Sequence, residues 1–433
     1  MPRLVIIGNS AAGLAAIAAI RARDRRSRIT LIAAETHRPY SRIMLTYLLA
    51  GKVARDDLFL HGDDWYKRIR VEALLGFRAT PIDTRRSQVV ARRKGTSKRI
   101  PFDRLLIATG ALAERPKLPG IDLPGVFCLR DLDDAVAILR YAEANDLLAE
   151  SGRRPCAIFL GGGPVCLQAL TALVERGMRV ALLVRSKQIL SQLADAYTAT
   201  LAERVLHAGG VQVVKGAAPV GIEAHNAKRG ARLAVHLADG RRQPADLIII
   251  GKGTQPNLEL TRGTPIATDT GILVDETMET SVPGIYAAGD VTQATHCVTG
   301  RKICYGTWTN ACEQGRIAGL NMIGCRTEWT GGLNRNVTTI FGNTLGAVGL
   351  TRMTTGDGYE LHAHHDRRRN VSRRLIFRDG CLQGAVLWNA CDDLGVLSSL
   401  IATRHDCTGC EARLSRGPAA FADALRVVSM QRR

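Results

Sequence analysis

A strand, a glycine turn and a small-residue helix occur twice in this chain, and that repeated unit constrains its fold more than any other feature. Residues 3–8, RLVIIG, read as a buried strand running into Gly8-Asn9-Ser10-Ala11-Ala12-Gly13. An Ala-rich helix is expected over about 12–22 and a strand, RITLIAAE, over 28–35. The second copy starts near residue 156: CAIFLGGG gives strand and turn, PVCLQALTALVERG the helix and MRVALLVR the next strand. Each is a βαβ unit. The expected fold class is therefore α/β, with two Rossmann-like (three-layer) nucleotide-binding domains. From about residue 326 the texture changes to Thr, Val and Ile punctuated by Gly and Asn. There RRLIFRDGCLQGAVLWN reads as a hairpin around Asp379-Gly380, and 392–402 reads as a helix. This last part is expected to be an α+β C-terminal domain.

The turns carry chemistry. Gly8 permits a tight exit from its strand, Ala11 and Ala12 let a helix start close to the sheet, and Gly13 allows helix–strand packing. Free N–H groups and the dipole at that helix end hold a diphosphate. Ser10 stands where the fingerprint has its second glycine, and Glu35 ends the next strand, where an acid binds a ribose diol. The bland alternative is a helix packed through small residues. In the second copy Gly161 and Gly163 match, Pro164 and Val165 open the helix, and Cys166 takes the third glycine's place. Arg185 ends the following strand, where an NAD site has an acid. With Lys187 it points toward an adenosine 2′-phosphate. NADP sites usually converge more than one basic group, so NAD(H) is the expectation and NADP(H) the alternative. A third motif runs from Thr280 to Ala-Ala-Gly289-Asp290. Beside the first fingerprint, Asp290 would accept a hydrogen bond from a flavin's ribitol.

The 433 residues allow two or three domains, and a hydrophobic fraction of 46% suits a soluble globular chain. The net charge of +19 points to an acidic partner or to an arginine-rich solvated surface. Nucleic acid is not the expected partner, because aromatics are 5% and no basic stretch interleaves with stacking residues. No apolar run is long enough for a membrane span and no signal-peptide pattern opens the chain, so the cytoplasm is the expected location. There are 11 cysteines, none before Cys128.

Taken together, Gly8–Gly13, Ala108-Thr109-Gly110, Gly161–Gly163, Gly253-Thr-Gln-Pro256-Asn257 and Thr280–Asp290 resemble the pyridine nucleotide–disulfide oxidoreductase superfamily. Trp308–Asn321 resembles its flavin-capping helix. The resemblance covers nearly the whole chain. It implies an FAD domain made of residues 1–118 and 246–325, an inserted NAD(P) domain at 119–245, and an interface-type domain at 326–433.

Within the superfamily, Arg38-Pro39-Tyr40-Ser41-Arg42-Ile43-Met44-Leu45 with Leu49-Ala50-Gly51 is similar to the branch of NADH:rubredoxin reductases and nitrite-reductase flavin subunits. It is similar also to FAD subunits of iron–sulfur or tungsten enzymes. Disulfide reductases carry two cysteines near this place, and peroxidases, oxidases and coenzyme A-disulfide reductases carry one. Here there is no thiolate to attack a disulfide.

The resemblance implies an FAD-dependent NAD(P)H:acceptor oxidoreductase without a catalytic side chain. Hydride would pass between nicotinamide and flavin N5, and electrons would go to or from an iron–sulfur carrier or the catalytic subunit of a larger enzyme. Arg42 is a candidate cation at the flavin pyrimidine edge, or else a diphosphate or surface contact. Gln168 stands where relatives often have Glu. Alternatives are a stand-alone NAD(P)H oxidase and a redox sensor or scaffold without turnover. Cys381, Cys391 and the pair Cys407-x-x-Cys410 match no strong metal pattern, and no metal is expected. His362, His364 and His365 are expected on a polar strand or loop, and Asp366–Arg369 in a solvated turn.

Overall fold

The computed structural model describes residues 1–148, 154–225, 232–352 and 358–418. Among them the chain divides into two compact units. One comprises 1–41, 55–112 and 254–334; the other comprises 42–54, 113–253 and 335–433.

The first unit holds a five-stranded parallel sheet. Arg3–Ile7 lies at its centre, with Arg28–Ala33 and then Val71–Leu75 to one side and Arg104–Ile107 and then Ile285–Ala287 to the other. The strands are almost continuously apolar, as a sheet covered on both faces requires; Leu4, Ile6, Leu31, Leu106 and Ala287 are fully buried. The helix Ala11–Arg23 packs against Trp308–Met322, and glycines set how close they come. A Cβ on Gly315 would lie 2.1 Å from the Ala12 carbonyl oxygen, and one on Gly319 would lie 2.6 Å from that of Ala16. Segments nearly three hundred residues apart in sequence are thereby joined.

The second unit repeats the sheet order. Cys156–Leu160 is central, flanked by Arg179–Val184 then Gln212–Lys215, and by Leu247–Ile250 then Val126–Cys128, all parallel. Two helices here start on strong caps. Asp131 and Asp134 form a reciprocal capping box before Leu132–Ala144, and Asp195 accepts from the N–H groups of Tyr197 and Thr198.

The same unit contains a five-stranded antiparallel sheet, in the order Arg335–Ile340, Asn343–Gly349, Cys381–Trp388, Val371–Arg378, Glu360–Asp366. Arg378 pairs with Cys381 across Asp379 and Gly380, both with positive φ, as a two-residue hairpin requires. The helix Leu394–Ala402 packs on this sheet. It is secured by a buried ion pair: Arg373 meets Asp393 with two bonds of 2.7 Å and donates to the Ala390 carbonyl.

The α/β class with an α+β C-terminal part is the observed one. Leu247–Ile250 pairs with Cys156–Leu160 and Val126–Cys128, so it belongs to the second unit's sheet. Arg42–Ala54 groups with the second unit. The expected strand 28–35 ends at Ala33.

Candidate functional site

In the first unit, four strand ends converge on one edge of the sheet, the place where open α/β sheets take ligands. Gly8 has a φ of 125°, and a Cβ there would stand 2.0 Å from the Ala108 carbonyl oxygen. Only glycine fits, because the turn passes against the neighbouring strand. Gly13 is equally confined: its Cβ would lie 2.0 Å from the Gly8 oxygen. Ser10 is the N-cap of the helix but makes no side-chain capping bond, so the N–H groups of Ala11, Ala12 and Gly13 are left to an outside acceptor.

Ala108 donates its N–H to the Ile7 carbonyl at 2.8 Å. Thr109 Oγ1 donates to the Asn257 carbonyl at 3.1 Å, and Gly110 accepts from the Asn257 N–H at 2.9 Å. Those bonds tie the Ala108–Gly110 turn to the segment after Gly253. Gly289 brings its N–H to Gln314 Oε1 at 2.7 Å, which Thr292 also reaches at 2.8 Å. Asp290 follows directly and is half-buried. Glu35 sits two residues beyond its strand and accepts from the Tyr40 hydroxyl at 2.6 Å. Trp308 opens the second helix, whose N-cap Thr307 makes no side-chain capping bond; its Oγ1 accepts from Asn310 Nδ2 at 2.9 Å. With Ala11, Cys312, His61 and Trp65, Trp308 lines an apolar cavity of about 380 Å³.

The structure therefore brings together Gly8, Ser10–Gly13, Ala108–Gly110 and Gly289–Asp290, with Glu35 at the next strand end. An extended dinucleotide fits this set. The turn leaves a cradle that any side chain would fill, one helix end has uncapped donors, and Gln314 Nε2 is buried with no partner among the described residues.

The second unit holds the other fingerprint. Gly161 has a φ of 127°, and its Cβ would lie 2.1 Å from the Gly251 oxygen. Gly163 is the N-cap of Pro164–Glu175, and a Cβ there would meet nothing within 4 Å. Pro164 supplies the preset first helical residue, and Val165 is exposed. Cys166 is buried and touches Gly251: a Cβ on Gly251 would be 2.0 Å from its sulfur. Burial pushes the Cys166 thiol up to about 12, so it packs as a neutral small apolar group. Arg185 stands exposed past the next strand. Gly253 accepts from the Glu114 N–H at 2.9 Å. This turn, too, fits a dinucleotide diphosphate. Arg42 belongs to this unit, where its guanidinium donates to the Arg130 carbonyl at 3.1 Å.

Cys381, Cys407 and Cys410 approach one another in the C-terminal sheet region, and burial, with Cys381 and Cys410 adding to it, pushes the Cys407 thiol up to about 11. Cys391 contacts the Thr344 and Leu387 carbonyls instead. Among the described residues no group of three or more His, Cys, Asp or Glu is arranged to hold a metal ion. His362, His364 and His365 lie on the strand Glu360–Asp366, and Asp366 accepts from the Arg368 and Arg369 N–H groups in the turn beyond.

Sequence reasoning missed three features. The spacing of Gly315 and Gly319 on one helix face signals a close helix contact. Lys252, set between two glycines after an apolar strand, is a half-buried cation near Cys166. Tyr66, which donates to Asn9 Oδ1 in the first turn, left no signal.

Two nucleotide turns on two parallel sheets of the same order define a dinucleotide-dependent flavoprotein oxidoreductase. The chain belongs to the pyridine nucleotide-disulphide oxidoreductase family, which residues 2–315 match; it binds FAD and NAD(P)H. It is similar to the NADH-dependent phenylglyoxylate dehydrogenase subunit epsilon of Aromatoleum evansii, with 32% identity over 96% of both chains. It is also similar to the biphenyl dioxygenase system ferredoxin–NAD(+) reductase component of Paraburkholderia xenovorans, with 30% identity over 93% of each. A solved NAD-dependent persulfide reductase from A. fulgidus superposes with a TM-score of 0.85 at 28% identity, covering 93% of this chain and 77% of that one. Among the described residues no helix is long and apolar enough to cross a membrane.

Proposed function

We propose that this chain is the flavin-bearing electron-transfer component of a larger system, moving electrons between NAD(P)H and an iron–sulfur protein or catalytic subunit. The observation that carries this reading is the absence of any cysteine before Cys128, in a family whose disulfide reductases place theirs near Ser41–Thr46. Without a thiolate there, a disulfide has no nucleophile to meet. The cysteines the chain does have are free, and burial raises those at 128, 166, 312, 391 and 407 away from the reactive thiolate. The ferredoxin reductase and the epsilon subunit among its relatives support the same reading.

The protein's own work is binding and orientation. The N–H groups of Ala11–Gly13 hold the FAD diphosphate, Gly8 keeps the turn clear, Glu35 accepts a ribose hydroxyl and Asp290 a ribitol hydroxyl. Ala108–Gly110 and Gly289 bring backbone close to the cofactor, and Trp308 covers its edge. The Gly161–Gly163 turn, with Pro164, Val165 and Gly253, holds the nicotinamide dinucleotide. Bound FAD supplies hydride acceptance and onward electron transfer.

The test is anaerobic mixing of the FAD-loaded chain with NADH or NADPH, followed by an acceptor. The flavin should bleach rapidly, turn over slowly on oxygen, and accelerate when a ferredoxin-type protein is added. Robust reduction of a disulfide would overturn the reading. Fast oxygen consumption by the isolated chain would replace it with an oxidase, and absence of bleaching with a nucleotide-binding scaffold.

A further inference from the structure

The order of the second unit's parallel sheet reverses between Cys156–Leu160 and Leu247–Ile250. From Cys156–Leu160 the chain steps outward to Arg179–Val184 and then Gln212–Lys215, while Leu247–Ile250 lies on the other side. Open α/β sheets take ligands outside the carboxyl ends of their strands at such a point. Here the two strand ends that form it are the Gly161–Gly163 turn and Gly251-Lys252-Gly253. They lie against each other: a Cβ on Gly161 would stand 2.1 Å from the Gly251 oxygen and 3.6 Å from the Lys252 nitrogen.

A lysine at this point is costly. It follows four apolar residues that are at most 3% exposed, and it is itself half-buried. Burial is the largest influence on its ammonium and lowers its pKa from the ordinary 10.5. The smaller influences come from three sides. Cys166 is in the first turn of the helix after Cys156–Leu160, and Arg185 follows Arg179–Val184. Glu114 borders Gly253, to whose carbonyl its N–H donates at 2.9 Å. An ammonium that senses all three stands over the carboxyl edge of the sheet. Lys252 makes no ion pair or hydrogen bond with another described residue, Glu114 included. A half-buried charge that the fold does not neutralise is a cost without a return inside the chain.

The site divides a dinucleotide in a definite way. The diphosphate goes to the helix end at Gly163, and the adenosine half to the side of Arg179–Val184. The nicotinamide half is left for the side of Leu247–Ile250, where Lys252 stands. A reduced nicotinamide ring is neutral, whereas an oxidised one is a pyridinium with one positive charge. A cation shielded from water repels the second and not the first. We propose that the Lys252 ammonium is set beside the nicotinamide ring, so that the chain holds NAD(P)H in preference to NAD(P)+. This rests on the assignment of the Gly161–Gly163 turn to the nicotinamide dinucleotide. It gives that assignment a direction, because the spent dinucleotide is repelled from the place where the fresh one is held.

The experiment measures binding alone, with ligands that cannot reduce the flavin. NAD+, its tetrahydronicotinamide analogue, whose ring is neutral and gives up no hydride, and ADP-ribose, which has no ring, are titrated calorimetrically into the FAD-loaded full chain. The 2′-phosphorylated set is run in parallel. The neutral-ring analogue should bind at least about tenfold tighter than the oxidised dinucleotide, the effect of one poorly screened like-charge contact. Lys252→Met should bring the two within about twofold by tightening the oxidised form, and leave ADP-ribose within about twofold of its wild-type affinity. Lys252→Arg should keep the preference. Equal binding of the oxidised and neutral-ring forms to the wild-type chain would overturn the proposal, and so would a preference that survives Lys252→Met. Equal weakening of all three ligands by Lys252→Met would also overturn it, by placing the cation on the diphosphate. If no ligand of either set binds, the assignment of the turn itself fails, and the proposed function fails with it.

Discussion

Replacing Gly251 with alanine tests how the second fingerprint works with a cysteine in its third glycine position. The new Cβ would lie 2.0 Å from Cys166 Sγ, against an ordinary contact of about 3.5–4 Å. The φ of Gly251 lies outside the left-handed range, so the cost is one of packing and not of backbone strain. The sulfur is fully enclosed on a helix whose rotamers are restricted, and overpacking of this kind costs about 1–3 kcal/mol. Removing the sulfur reverses the argument. With the sulfur gone, the nearest neighbour of the new methyl on residue 251 is the residue 166 Cβ, at 3.6 Å, which is ordinary contact. Cys166→Ala alone should cost about 1 kcal/mol for a small cavity. The double variant should then be no less stable than Cys166→Ala, a coupling of about 1–3 kcal/mol. Urea unfolding, with amide exchange of Cys156–Leu160 as the local probe, reads the cycle. If the double variant loses the sum of the two single losses, Cys166 and Gly251 are not a matched pair and the reasoning fails.

Gly8→Ala should reduce bound FAD to a small fraction of the wild-type content, because φ and the Ala108 oxygen both reject a side chain; the ratio of flavin to protein absorbance measures it. Asp393→Ala leaves the buried Arg373 guanidinium unpaired and should cost about 3–5 kcal/mol in urea unfolding, whereas Arg373→Met with Asp393→Leu should recover much of it. In iodoacetamide labelling near pH 8, mass spectrometry should find exposed Cys325 alkylated and Cys166, with its thiol pushed up to about 12, unmodified. Burial lowers the His296 pKa from its ordinary 6.5, so the unfolded chain takes up the proton first. Stability attached to neutral His296 is therefore full above that pH and lost as pH falls through the folded value, and His296→Gln should flatten that acid limb.

The parts legible in the sequence were those that depend on local chemistry. Gly8 and Gly161 announce turns that admit no side chain, and Asp379-Gly380 announces its hairpin. The α/β repeat follows from apolar strands followed by small-residue helices. What stayed hidden was set by partners far along the chain. Leu247–Ile250 has the texture of any buried parallel strand, and only its pairing with Cys156–Leu160 assigns it to the second unit. Cys166 looks like a weakened glycine motif until Gly251 is seen to make room for it. Glu35 and Asp290 could be named from position, yet Gln314, which ties Gly289 to Thr292, reads as an ordinary polar helix residue.

The close fit of Gly315 and Gly319 against Ala12 and Ala16 has a consequence for the chain as it is made. The helix Ala11–Arg23 emerges from the ribosome early, but the surface that buries it arrives only with residues 308–322. During that wait the helix carries an apolar flank with no cover, while the sheet of Val126–Cys128, Cys156–Leu160, Arg179–Val184, Gln212–Lys215 and Leu247–Ile250 has every strand it needs within one continuous stretch. The inserted sheet can therefore fold first, as an independent nucleus. The first fingerprint to be translated is the last to be completed.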